Sequence, residues 1–146
     1  MSDFRVATWN VHGFCEGVDT AITTAGPFLR NVDILALQEV PRHDIPRVCN
    51  LLWKMNESSS SSSTSSYDYA CQHGTAMVTR FPILDKLSQT PQINASYKKN
   101  KKGSSIEVRH VSCRILLNDE PCTIVAVHLD HRSEYRRLQE WEALLP

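Results

Sequence analysis

Much of what the sequence lacks narrows what the chain can be. Lysine plus arginine number 16 and aspartate plus glutamate 16, so there is no excess of either sign. That removes long-range attraction of the whole molecule toward a polyanion, although a local basic patch would still suffice for contact with one. No two of the five cysteines (Cys15, Cys49, Cys71, Cys113 and Cys122) have the close spacing of a zinc site, and their number is odd, which argues against a disulfide framework. No charged-then-apolar leader opens the chain, since Met1 to Arg5 runs straight into a strand-like segment. No apolar run approaches the roughly 20 residues that cross a bilayer. These features together predict a reduced, intracellular protein of the cytoplasm or nucleus with no membrane span.

What is present is ordinary for one globular domain: 146 residues, 41% hydrophobic and 22% charged. Phe4 to Val11 and Asp33 to Val40 are apolar on both faces and read as buried strands. Between them, 12–17 reads as a loop, and 19–31 as a short helix interrupted at Gly26-Pro27. From Asp44 to Met55, Ile45, Val48, Leu51, Leu52 and Met55 recur at three and four residues, one apolar stripe of a helix with Pro46 in its first turn. Residues 58–66 are serine apart from Thr64 and offer nothing to a core, so they read as a flexible surface insertion. Strands follow at 67–72 and 75–79 around a tight turn at His73-Gly74, then a longer pair at 106–117 and 122–129. The last element, 133–145, is a helix with Ser133 as N-cap and Leu138, Trp141 and Leu145 on one face. This order predicts an α+β layer, one sheet with helices on one side. The sheet's other face would also be apolar, with no obvious cover in the chain.

Polar residues at the ends of apolar strands are the candidates for chemistry, because the rim of a sheet hosts sites. Asn10 ends the first strand and Glu39 the second. Either alone fits a turn or a solvated strand end; together, an amide oxygen and one carboxylate are the hard donors Mg²⁺ takes, the ion keeping several waters. His128 closes the strand TIVAVH, where the bland reading is a hydrogen-bonded core histidine. The run HLDH at 128–131 does not suit a tetrahedral zinc ion without further ligands. Arg109 lies within SIEVRHVSCRI and is either solvated or a planar clamp on a phosphate. Lys98, Lys99, Lys101 and Lys102 form a basic loop, either simply solvated or in contact with a nucleic-acid backbone or another polyphosphate, with Tyr97 beside them to stack on a base.

TWNVHG at 8–13, DILALQEV at 33–40, HGTAMVTRFPI at 73–83 and VAVHLDHRSEYRRLQ at 125–139 resemble, in order and spacing, the successive motifs of the endonuclease/exonuclease/phosphatase superfamily. That group includes DNase I-like nucleases, abasic-site endonucleases, tyrosyl-DNA phosphodiesterases, deadenylases, inositol polyphosphate 5-phosphatases and neutral sphingomyelinases. Each motif is weak alone; four in order are specific. The resemblance implies a DNase I-like β-sandwich flanked by helices, of which residues 1–146 would be a partial domain, the first half, with one sheet plus helices. It implies a phosphoester hydrolase of the phosphodiesterase or nuclease type, in which a water activated by Mg²⁺, or Mn²⁺ in its place, attacks a phosphate. Asn10 matches the asparagine that places metal and phosphate, Glu39 the metal-binding glutamate, and His128 the histidine that hydrogen-bonds a phosphate oxygen. Arg109 resembles the phosphate-side arginine, while Gln38 and Arg80 match positions that support the fold.

The resemblance also implies an aspartate with an asparagine two positions on, and a terminal aspartate–histidine pair that activates water. Neither has a counterpart after His128; Asp130-His131 has the letters of the last pair in the wrong motif. The alternatives are therefore a catalytically incomplete fragment or pseudoenzyme with a binding role, or a phosphomonoesterase acting on a lipid or inositol phosphate. The partner implied is a phosphoester substrate, with nucleic acid favoured by the lysine loop.

Overall fold

A computed structural model describes residues 4–57, 66–87, 109–129 and 131–144. The expected basic loop at 98–102, most of the serine insertion and Asp130 lie outside the described residues. Two sheets and three α-helices form the fold. In chain order these are β1 (Val6–Asn10), α1 (Val18–Leu29), β2 (Ile34–Gln38), α2 (Ile45–Glu57), β3 (Asp68–Gln72), β4 (Thr75–Thr79), β5 (Ile83–Leu87), β6 (Arg109–Leu117), β7 (Glu120–His128) and α3 (Glu134–Leu144).

The first sheet has the order β1-β2-β4-β3. β1 and β2 are parallel, as strands joined through the crossover helix α1 can be, and β2–β4 and β3–β4 are antiparallel. Leu35 and Leu37 of β2 point to one face, where they meet Ile22 and Leu29 of α1 and Ile45, Val48 and Leu52 of α2. Each fully buried aliphatic side chain there contributes about 1.5–3 kcal/mol. The stripe read from α2 is the buried one. Gly26-Pro27 does not interrupt α1: a Cβ at position 26 would stand 3.4 Å from Met55 Cε, so the glycine admits the close approach of α2. Pro27 falls in the helix's last turn.

The expectation of one sheet with a bare second face is corrected. Ile34 and Met77, on the opposite face of the first sheet, pack with Val111, Cys113, Ile115 and Ala126 of a second sheet, β5-β6-β7. The strands read as continuing a single sheet are its cover. β5 escaped the sequence reading because Ile83–Leu87 is short and its pairing is broken by a bulge between Ile83 and Asp85. β6 and β7 close through a two-residue turn at Asn118 and Asp119, both at positive φ, so β7 begins two residues earlier than read. Pro121 within β7 is tolerated because β7 is an edge strand among the described residues.

Two further expectations change. Among the described residues β1 is an edge strand, not a doubly buried one: β7 packs over β4 and β2, and Val6 remains 60% exposed. On α3, Ser133 does cap the helix, its Oγ accepting the Arg136 N–H at 3.3 Å. However, Leu138 and Trp141 are exposed and Glu140 is buried, so these two members of the expected apolar face are not packed, and Leu145 lies outside the described residues. No helix among the described residues is long and apolar enough to cross a membrane.

Candidate active site

Asn10 and Gln38 are register partners on the parallel pair β1–β2, so both strands end at the same rim. His128 ends β7 at that rim, directly across the ladder from Arg109, the first residue of β6. The chain turns sharply at each strand end. His12, Gly13 and Phe14 all have positive φ (46°, 66° and 52°), as does Glu39 (57°). Such conformations cost non-glycine residues energy and persist only where neighbours over-determine them. Here the loops interlock: the Val11 N–H donates to Gln38 O, the Gly13 N–H to Glu39 O at 2.8 Å, and the Val40 N–H to Gly74 O at 3.0 Å. Edge-to-face packing of Trp9 on Phe14, with ring centroids 5.9 Å apart, closes the first loop.

These turns bring Glu39 to the centre. Asn10 Nδ2 donates to Glu39 Oε1 at 3.1 Å. His128 Nε2 lies 3.5 Å from the same oxygen, and His12 Nδ1 lies 3.2 Å from Oε2. The Asn10 side chain is fixed from its other end, since its Oδ1 accepts the His12 N–H at 3.1 Å. Gln38 is occupied below, donating to Thr8 Oγ1 at 2.9 Å. Asn10, Glu39 and His128 thus come together, and Arg109 faces His128 across the β6–β7 ladder. His12 was missed: its letter was visible in TWNVHG, but nothing in a sequence says that a left-handed turn folds it back onto Glu39. Gln38 and Arg80 lie in supporting contacts, Arg80 pairing with Asp33 at 3.0 Å.

Electrostatics follow from these contacts. The Asn10 hydrogen bond, with the nearby His12 and His128, holds the Glu39 carboxyl below its usual range, so it is an anion at neutral pH. Burial and the Arg109 guanidinium hold the His128 imidazole below its usual range against the pull of Glu39, so it is neutral. The His128 Nδ1 and Thr75 Oγ1 atoms are buried without a hydrogen-bond partner in this structure.

Among the described residues no group of three or more His, Cys, Asp or Glu side chains is placed to hold a metal ion. That does not suit structural zinc, which takes four protein ligands. Glu39, an ionised carboxylate one-third exposed at a sheet rim, offers a hard oxygen of the kind Mg²⁺ takes, while Asn10 turns its amide nitrogen toward it and its oxygen to the His12 N–H.

The chain is similar in fold to a β-hairpin deletion mutant of beta toxin from Staphylococcus aureus, with 15% identity, a TM-score of 0.50, and 92% of this chain and 54% of that one covered. A second similar structure is that of SmcL, with 17% identity, a TM-score of 0.46, and 86% and 48% covered. The chain therefore spans about half the length of each. No curated protein sequence matches it. The model of the Endonuclease/Exonuclease/phosphatase family matches residues 7–145, every described strand and the site included. With two packed sheets and outer helices in the DNase I-like arrangement, this chain belongs to the Endonuclease/Exonuclease/phosphatase family.

Proposed function

We propose that the chain carries a Mg²⁺-dependent phosphoester-hydrolase site of the phosphodiesterase type. The observation that supports it is the convergence of Asn10, His12 and His128 on one ionised carboxylate, Glu39, with Arg109 opposite His128. Glu39 would hold the cation, and the Asn10 amide oxygen would join it only by sharing or giving up the His12 N–H. When bound, the ion supplies Lewis-acid neutralisation of the phosphate's charge.

The remaining work falls to side chains. His128, with its Nε2 3.5 Å from Glu39 Oε1, would donate from that nitrogen to a phosphate oxygen. Its neutrality suits this task, since a neutral N–H donates without adding a fixed charge beside the cation. Arg109 adds a planar, permanently charged donor to the same phosphate. Asn10, held by both of its polar atoms, keeps Glu39 in one rotamer and so pre-organises the site. Lys98, Lys99, Lys101 and Lys102 lie outside the described residues and favour a nucleic-acid substrate only through their charge.

A second reading is a site that binds cation and phosphate without turnover. Hydrolysis of bis-p-nitrophenyl phosphate by the purified chain separates the two. Mg²⁺-dependent release of nitrophenol, abolished in Glu39→Ala, supports the enzyme. Hydrolysis indifferent to Mg²⁺ or to Glu39→Ala refutes the site. No hydrolysis, with Glu39-dependent cation binding retained, selects the second reading.

A further inference from the structure

The contacts of Glu39 are unequal in a way that bears on how a cation reaches it. A carboxylate offers about four lone-pair positions, two on each oxygen. Oε1 accepts a hydrogen bond from Asn10 Nδ2 and is crowded by His128 Nε2 at 3.5 Å. Oε2 meets His12 Nδ1. A cation approaching Glu39 therefore finds its place at Oε2, and there it meets an N–H whose positive end points at the same lone pairs.

Two of the three donors are not free to yield. His128 is buried and fixed in the β6–β7 ladder. Asn10 is tied at both ends of its side chain. His12 differs: its side chain is 74% exposed, and among the described residues its polar contact is with Glu39. It reaches Glu39 only because its backbone adopts a left-handed conformation, with φ 46°, held by its N–H on Asn10 Oδ1. The strained turn thus aims the one mobile donor at the one accessible carboxylate oxygen.

We propose that His12 is a displaceable latch, a positioning residue that holds the Glu39 carboxylate in place and must swing out for a divalent cation to bind. This rests on the assignment of Glu39 as the cation ligand. The latch keeps the carboxylate ordered in the absence of ion and makes His12 a competitor of the ion for Oε2. Removing the imidazole removes the competitor, so cation affinity should rise and not fall. A histidine that merely supported a ligand, or was itself a ligand, would give the opposite sign.

The test is Mn²⁺ binding by isothermal titration calorimetry, which needs no turnover, to the wild-type chain and to His12→Ala, His12→Asn and Glu39→Ala. Asparagine tolerates the left-handed backbone and so preserves the turn if alanine does not. Tighter Mn²⁺ binding in the His12 variants, about two- to tenfold as expected for one lost hydrogen bond, with none in Glu39→Ala, supports the latch. Equal or weaker binding in both His12 variants overturns the latch and leaves the assignment of Glu39 standing. No binding in any of the four proteins, or unchanged binding in Glu39→Ala, overturns the assignment and the latch with it.

Discussion

Glu39→Gln is the sharpest single perturbation of the site, because it changes charge while keeping shape. Glu39 receives nitrogen donors at both oxygens: Asn10 and His128 at Oε1, His12 at Oε2. With the glutamine carbonyl in the Oε1 position, the Asn10 hydrogen bond survives as a neutral one and the His128 contact loses its charge. The new NH₂ then faces the His12 Nδ1–H, but His12 is mostly exposed and turns into solvent. Charge-assisted hydrogen bonds are worth about 1.5–3 kcal/mol and neutral ones about 0.5–1.5 kcal/mol, so two weakened contacts at a site one-third exposed change stability by about 1 kcal/mol or less. The functional loss is far larger. The site's one central anion is gone, and loss of an electrostatic element at a reacting centre costs about 10²–10³ in turnover. The expected pattern is thus a fold that melts within a few degrees of wild type and hydrolysis of bis-p-nitrophenyl phosphate reduced at least about a hundredfold. A folded Glu39→Gln protein that retains the wild-type rate and Mg²⁺ dependence would refute the reasoning, since no other described carboxylate lies in contact with His128 and Asn10.

Three further outcomes are expected. Leu35→Ala, at a fully buried position between β2 and the helices, should cost about 2–5 kcal/mol in urea unfolding, and a loss under 1 kcal/mol would mean the helix layer is not packed as described. Tyr67→Phe removes the hydroxyl that donates to Val32 O at 2.9 Å and accepts from Asn56 Nδ2 at 3.1 Å, and should cost about 1–2 kcal/mol while leaving Mg²⁺ dependence unchanged. Because His128 takes up a proton less readily folded than at its ordinary value of 6.5, the unfolded chain binds the proton first, and stability should fall as pH drops through that value. Glu39, held below its ordinary 4.5, adds a further loss of the same sign at lower pH. His128→Gln should flatten the decline in melting temperature between about pH 7.5 and about pH 5.5, and an unchanged slope would assign it to other groups.

The interior of the chain announced itself through periodicity. The apolar run of β2 and the three-and-four spacing of α2 can satisfy their backbones and bury their side chains in only one way, and the structure uses both as read. The His73-Gly74 turn and the capping of α3 by Ser133 are equally local, decided by residues within a few positions of each other. Asn10, Glu39 and His128 were legible as candidates because polar groups ending apolar strands have few reasons to be there. Pairing between distant segments was not legible. Whether 109–128 extends the first sheet or covers it depends on which apolar face lies nearest after β4, and alternation along a strand says nothing about that. The same holds for α3, where Glu140 is buried while Leu138 and Trp141 are exposed.

His12 shows the limit most clearly. The sequence determined that a histidine stands two residues after Asn10, and a glycine after it permits a turn. Only the tertiary structure, by locking that turn to Glu39 through the Gly13 N–H and the Asn10 amide, placed the imidazole on the carboxylate. Local composition sets which conformations a residue can adopt at low cost. Long-range contacts decide which costly conformation is held, and at this rim the held conformations are the ones that assemble the site.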